Sequence, residues 1–376
     1  MGETIHDIRE WYIPGPVDVR HETLIAMAEP PYGHRTKKLS DKIKSIRENL
    51  FQIVNAVEGN NSLLLIGGSG TNALEVGARA SATYMYRSVL VARVGAFGDL
   101  WREIFTSCGL PTDVYQVDDG NDIDVEELDK RLSYHKYHAL AVTHNETSTG
   151  VMNNLETIAD VARKYDVLFL VDGVSSVGGV PIDVTKLGID YLATAPQKAL
   201  GVPPGIGIAV ASPRMLERAA KIEHRGYTTD ILLYAEADKK DETLTTSPEG
   251  VINALDVQLN YIVNRQGIEA RYANHRILAD MTRQWAAREG FELFVKRGTP
   301  SDTVSCFSSR DGVDLKLLQQ KLAEQGYGFD PGYRKLNDDL AKRGIAPTFR
   351  IAHMGDRREA QLERYLDTIS SVLRGK

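Results

Sequence analysis

The chain has 376 residues, 42% of them hydrophobic and 26% charged, the balance of a folded, water-soluble protein with room for a large domain and a smaller lobe. Its net charge of −6 gives no electrostatic reason to expect a nucleic acid or an anionic membrane as partner. The two cysteines, Cys108 and Cys306, lie far apart without CxxC spacing, which argues against a disulfide framework or a zinc site and for a reducing compartment.

The opening stretch MGETIHDIREWYIPGP lacks an apolar core and a cleavage signal, so no secretory peptide is expected. Met1-Gly2 starts like a myristoylation site, but His6 stands where Ser or Thr is needed. No apolar run approaches membrane-spanning length, and the C-terminal VLRGK is no targeting tag, so a cytoplasmic enzyme is the expectation. Ile43, Ile46, Leu50, Ile53, Val54 and Val57 recur at helical spacing and predict a helix over 40–57. The apolar run SLLLI (62–66) then leads through Gly67-Gly68-Ser69-Gly70-Thr71 into an alanine-rich helix over 71–85. Further short apolar runs follow at 89–94, 139–144, 167–172, 190–195 and 207–211, with helical stretches such as 155–165 between several of them. Strands that are apolar throughout and alternate with helices imply a mainly parallel sheet covered on both faces. Beyond residue 225 the chain turns polar, then predicts one long helix over 248–285. After about 290, short strands alternate with helices over 315–325 and 359–373, a smaller α+β lobe.

Three features at strand ends carry chemical meaning. The GGSGT turn can curl tightly and aim the first N–H groups of a helix, with the Ser69 and Thr71 hydroxyls, at a phosphate. Asp172 ends the run VLFLVD at the edge where open α/β sheets place ligands. Lys198 follows the run DYLATA and precedes a stiff Gly-Val-Pro-Pro-Gly turn; a semi-buried lysine amine is a usable nucleophile and base. Taken singly, each has a plainer reading: an ordinary strand-to-helix turn, a capping aspartate, a lysine whose head reaches water. His144-Asn145-Glu146-Thr147-Ser148-Thr149-Gly150 adds a run of small polar groups longer than a turn needs. Together, a phosphate cradle, a carboxylate and a lysine at different strand ends fit one cofactor, pyridoxal 5'-phosphate.

At GSGTNALE (68–75), HNETSTG (144–150), VDGVSSVGG (171–179) and APQKALGVPPG (195–205) the chain resembles the class V, fold-type I pyridoxal-phosphate aminotransferases, in the group of alanine–glyoxylate, serine–pyruvate and 2-aminoethylphosphonate transaminases. The resemblance runs from Pro14 to Gly355. It implies an α/β fold: a large domain with a mainly parallel seven-stranded sheet between helices, and a smaller C-terminal α+β domain. The expected divisions are an N-terminal arm (1–20), the large cofactor domain (21–262) and the small domain (263–376). Lys198 resembles the Schiff-base lysine and Asp172 the partner of the ring nitrogen. Ser69, Gly70 and Thr71 match the phosphate site, with Gln197 close by. Thr147 matches a hydroxyl near the ring's 3-oxygen, and Ser176 lies in the loop beside the ring. Thr246 matches a threonine that reaches the phosphate across a homodimer interface, and Arg350 an arginine that grips the substrate carboxylate, a role suited to its bidentate fork. Two positions depart from the family pattern. Phe97 stands where relatives stack a tryptophan on the ring, with Trp101 nearby as a rival, and Thr243 stands where they carry a tyrosine.

The expected activity is ping-pong transamination, moving an amino group from alanine or serine to a small 2-oxo acid, glyoxylate or pyruvate. FRIAHMGD and RGYTTD equally resemble the aminoethylphosphonate enzymes, which is the alternative, and His34 and Arg35 read as solvated or interface residues, with the partner's pocket as the less favoured role. A desulfurase-type lyase is disfavoured because Gln197 replaces the histidine such enzymes carry before the lysine, and Cys306 reads as a packed core thiol. A non-catalytic cofactor-binding protein is disfavoured by the intact set of lysine, aspartate and arginine.

Overall fold

The computed structural model describes residues 8–82 and 89–375. The features read at residues 1–7, His6 among them, and the end of the helix expected over 71–85 lie outside the described residues.

A seven-stranded sheet forms the centre: β1 (Ser62–Gly68), β2 (Val89–Arg93), β3 (Thr112–Gln116), β4 (Ala139–Thr143), β5 (Leu168–Asp172), β6 (Tyr191–Thr194) and β7 (Gly205–Ala211). Their order is β1-β7-β6-β5-β4-β2-β3. β7 runs antiparallel to both neighbours, and the remaining pairs are parallel. The unbroken apolar runs have their reason here. Leu63, Leu65, Leu90, Leu140 and Phe169 enter a core on one face, while Leu64, Ile66, Val91, Ala141 and Leu170 enter the core on the other. Both faces are dry, so alternation of polar and apolar residues disappears. Burial of each such leucine or valine contributes about 1.5–3 kcal/mol.

The helix expected over 40–57 is α1 (Lys37–Val54), which buries Leu39, Ile43, Ile46, Leu50, Ile53 and Val54 against one face. It stops earlier than expected because Asn55 turns left-handed (φ 48°), and Val57 is left exposed. Across the other face lie α2 (Gly70–Ser81) and α3 (Ala96–Ser107). The helix expected over 248–285 is two: α4 (Glu249–Tyr261) widens into one π-helical turn at Ile262–Gln266, and α5 (Ile268–Arg288) begins after Gly267. Gly267 sits at φ +87°, a conformation that ends helix geometry and favours glycine.

A three-stranded antiparallel sheet, β8 (Glu292–Leu293), β9 (Val304–Ser308) and β10 (Thr348–Ala352), packs with α5 and the helices Leu315–Glu324 and Glu359–Leu373 around Phe291, Phe307, Phe349 and Tyr365. Tyr12 joins this cluster, stacked on Tyr365 at 3.6 Å and donating from its hydroxyl to the Gln361 carbonyl (2.8 Å). That anchor brings the following Pro14-Gly15-Pro16 to the central sheet. Among the described residues no helix is long and apolar enough to cross a membrane.

Candidate active site

Because β1, β2, β4, β5 and β6 point the same way, their carboxyl ends gather along one edge. The turn after β1 caps α2 at Ser69: the Ser69 N–H and hydroxyl donate to Asn72 Oδ1 at 2.8 and 3.1 Å. Gly67 has open space where a side chain would stand. A β-carbon at Gly70 would lie 2.8 Å from Val174 and 3.3 Å from Ala195, so this turn is in contact with the segments that follow β5 and β6.

Asp172, the last residue of β5, is buried, and its Oδ1 accepts from the Val174 N–H at 2.9 Å. Burial pushes its carboxyl up to about 7; the charge of Glu146 adds to this, while the Val174 N–H and Lys198 oppose it. Lys198 is half-buried and donates to the Pro14 carbonyl. Burial and the Arg350 charge bring its amine down to about 8, against Asp172 and Asp330. An amine so lowered is available as a base near neutral pH.

Thr147 Oγ1 lies 2.6 Å from Ser175 Oγ, and the Thr147 carbonyl accepts from Arg350 Nη1 at 3.0 Å. Ser176 is buried one residue further on. Phe97, in the first turn of α3, has its N–H held by Glu146 (3.0 Å), which also accepts from the Gly98 N–H, the Ser148 N–H and the Ser148 hydroxyl. Glu146 thereby caps α3 from 48 residues away. The Phe97 ring leans on Tyr333, with centroids 6.3 Å apart. Trp101 is in the core, stacked on Phe105 at 5.4 Å, and does not face the site. Burial holds His144 down at about 4, so it is neutral.

A cavity of about 420 Å³ opens over Lys198 and is lined also by Phe97, Thr147, Arg350, Asp330 and Tyr333. Of the residues singled out in the sequence, Asp172, Ser69, Gly70, Thr71, Ser176 and Gln197 do not line it. Asp172 and Gly70 both meet Val174, and the next residue, Ser175, is hydrogen-bonded to Thr147 of the lining. Thr246 is exposed and outside. Arg35 donates to Glu242 (2.7 Å) and to the Thr243 carbonyl (3.3 Å), so the YGHRT and ETLTT segments adjoin one another away from the cavity. His34 is half-buried there and Thr243 is buried, with its hydroxyl on the Thr245 carbonyl. Cys306 is fully buried on β9, its thiol pushed up to about 12 by burial, which leaves no reactive thiolate for desulfurase chemistry.

A lysine amine and an aspartate at the central sheet's edge thus meet an arginine fork that comes from β10 of the small sheet. The model of the family described as aminotransferase class-V matches residues 24–352. The chain belongs to this family. It is an aminotransferase. A relative from Methanocaldococcus jannaschii, itself described only as an aminotransferase, is 33% identical over 91% of this chain and 87% of its own. The 2-aminoethylphosphonate–pyruvate transaminase of Phocaeicola vulgatus is 28% identical over 88% of this chain and 89% of its own. The serine–glyoxylate aminotransferase of Methylorubrum extorquens is 27% identical over 93% and 87%. The crystal structure of alanine–glyoxylate aminotransferase from Nostoc sp. superposes with a TM-score of 0.90 over 100% of this chain and 97% of that one at 24% identity, which shows the shared fold-type I architecture.

Class-V aminotransferases are pyridoxal-phosphate-dependent, and the residues present fit that group. Open space lies over the turn at the N-terminus of α2, where a helix dipole favours a phosphate. Among the described residues the buried Asp172 carboxyl feels the Lys198 charge but forms no salt bridge, and Gln197 Oε1, Ser176 Oγ and Arg350 Nε are buried without protein partners. Among the described residues no group of three or more His, Cys, Asp or Glu could hold a metal ion. Glu146 and several lining residues, among them Asp330, Tyr333 and Trp11, are not singled out by the sequence. Glu146 lay inside a quoted motif, but its role depends on where α3 starts; for the others the sequence holds no local signal.

Proposed function

We propose that this aminotransferase uses pyridoxal phosphate to move an amino group from a small amino acid of the alanine or serine type to a small 2-oxo acid, glyoxylate or pyruvate, in two half-reactions on one site. The observation that carries the reading is the shared cavity of Lys198 and Arg350: an amine lowered to about 8 faces a guanidinium with a buried, unpartnered Nε. The cofactor, when bound, supplies an aldehyde that condenses with amines and a ring that takes up the electron pair of a broken C–H bond. Lys198 would hold it covalently between turnovers, and its amine, when free, would carry the substrate's α-proton. Asp172 keeps a proton on the ring nitrogen by meeting it with a carboxylate, stabilising the charge that develops in the transition state. Phe97 would cover one face of the ring, Ser69, Gly70, Thr71 and Gln197 would hold the phosphate, and Thr147 and Ser176 would serve the ring substituents. Arg350 aligns the substrate carboxylate.

The assembly belongs to the same reading. Thr246 completes the phosphate site of a partner subunit, in a cytoplasmic homodimer, with His34 and Arg35 at the interface. The domain division at 262/263 is supported by the π-helical turn there and by separate cores on either side. The likeness to the P. vulgatus enzyme keeps 2-aminoethylphosphonate with pyruvate as the second reading. The test is a donor and acceptor screen by product keto acid, with cofactor absorbance recorded for wild type and Lys198→Ala. Transfer from alanine or serine that vanishes in the variant is expected; a wild-type chain that takes up no pyridoxal phosphate would sink the reading.

A further inference from the structure

Arg350 does not stand alone in the cavity. Asp330 faces it across an antiparallel bridge, and Arg350 Nη2 donates to Asp330 Oδ2 at 2.8 Å. The other oxygen, Oδ1, accepts from the Gly332 N–H at 2.7 Å, so the carboxylate is held at both ends. Arg350 Nη1 is engaged by the Thr147 carbonyl, and the Tyr333 ring centroid lies 5.8 Å from the guanidinium carbon. Two of its five N–H donors are thus engaged, and Nε is buried with no partner.

We propose that Asp330 is a specificity-determining residue that restricts this site to substrates with a single negative charge at the Arg350 end. The inference rests on the reading of Arg350 as the carboxylate holder. With one hydrogen of Nη1 and one of Nη2 taken, Nε keeps its hydrogen and each terminal nitrogen keeps one, and the Nε–Nη2 edge has the spacing one carboxylate fork accepts. Asp330 fixes that edge and already offsets the arginine's charge. A first carboxylate is therefore bound by geometry and two charge-assisted hydrogen bonds. A second anionic group on the same substrate meets the buried Asp330, and like charges a few ångströms apart weaken binding by about tenfold or more. Dicarboxylates are turned away, and so are phosphonates that carry two charges. Monocarboxylic amino acids and oxo acids pass.

Binding of propionate and of succinate to the holoenzyme, followed by calorimetry at neutral pH, separates the possibilities. Wild type should bind propionate at least about tenfold more tightly than succinate, and Asp330→Asn should shrink that ratio to within about threefold while circular dichroism stays native. Asp330→Ser, which removes the charge with less bulk, should shift the ratio the same way should the asparagine variant fail to fold. Arg350→Gln should weaken both anions. A wild-type chain that binds succinate as tightly as propionate overturns the inference, and so does a ratio unmoved in folded Asp330 variants. Propionate binding that ignores Arg350→Gln overturns the carboxylate role of Arg350 and this inference with it, whereas intact dependence on Arg350 with an unmoved ratio removes only the role of Asp330.

Discussion

Stripped of pyridoxal phosphate, the chain should show a trough in stability around pH 7–8 that comes from Asp172 and Lys198. Asp172 rises from 3.8 to about 7 on folding, chiefly by burial. Between those values the folded chain keeps a proton that the unfolded chain has released, so stability falls as pH rises, and the contribution is gone above about 7. Lys198 acts in the opposite sense. Its amine falls from 10.5 to about 8, so from 8 upward the unfolded chain binds a proton the folded chain lacks, and stability recovers. At 1.36 kcal/mol per pH unit the first interval is worth about 4 kcal/mol; the second, discounted because Lys198 is only half-buried, is worth about 2–3 kcal/mol. Urea denaturation of wild type, Asp172→Asn and Lys198→Met at about pH 5, 7.5 and 9.5, read by circular dichroism and fluorescence, measures both limbs. Asp172→Asn should gain on wild type between the first two values, and Lys198→Met should lose its advantage between the last two. Added cofactor should fill the trough, since it brings a cation to Asp172 and takes up the Lys198 amine. A difference between wild type and Asp172→Asn that stays constant within about 1 kcal/mol from pH 5 to 8 would refute the reasoning.

Arg271, fully buried, donates to the carbonyls of Gly178 and Ala199, to Gln266 and to Asp356 (2.8 Å), tying the Lys198 loop to α5. Arg271→Met leaves Asp356 with only Gln258 and should cost about 3–5 kcal/mol in urea denaturation; less than about 1 kcal/mol would show that the network does not hold in solution. Gly15 stands at φ +89° with Lys198 Cδ 2.6 Å from where its β-carbon would be, so Gly15→Ala should displace the lysine and lower cofactor uptake by about tenfold in a chain that still folds, checked by absorbance titration. Phe97→Ala should weaken cofactor binding about tenfold with little change in stability, whereas Trp101→Ala should cost about 3–5 kcal/mol and act on the cofactor only through the fold. The reverse pattern would return the stacking role to Trp101.

What the sequence disclosed and what it hid follow from how each feature is encoded. Six strands of the central sheet are legible because burial on both faces makes them continuous apolar runs, and the strand-to-helix turns at their ends expose Gly67–Thr71, Asp172 and Lys198 as punctuation. β3 is not legible: TDVYQ is an edge strand paired only with β2, half solvated, and carries no such run. The break at Gly267 is hidden because apolar spacing continues through it from α4 into α5. Phe97 and Trp101 are four residues apart, one turn of the same helix, so spacing alone assigns them to one face. The difference arises from where α3 begins, which Glu146 sets from another strand end.

Arg350 poses the same problem at the level of single atoms. Residue type nominates an arginine for a carboxylate, but its recognition edge depends on which donors are already spent. Those are spent on Thr147, 203 residues away in the chain, and on Asp330, which reaches β10 through a loop and helix that no periodicity links to it. Charge at such a site is therefore a property of the pair that folding creates. An arginine free to use all its donors would accept a dianion as readily as a monoanion; one held at two corners by a carbonyl and a carboxylate offers a single fork and repels the second charge. Substrate class here turns on the residue opposite Arg350, and loss of the Asp330 charge should change it while also lowering the Lys198 amine that this charge holds up.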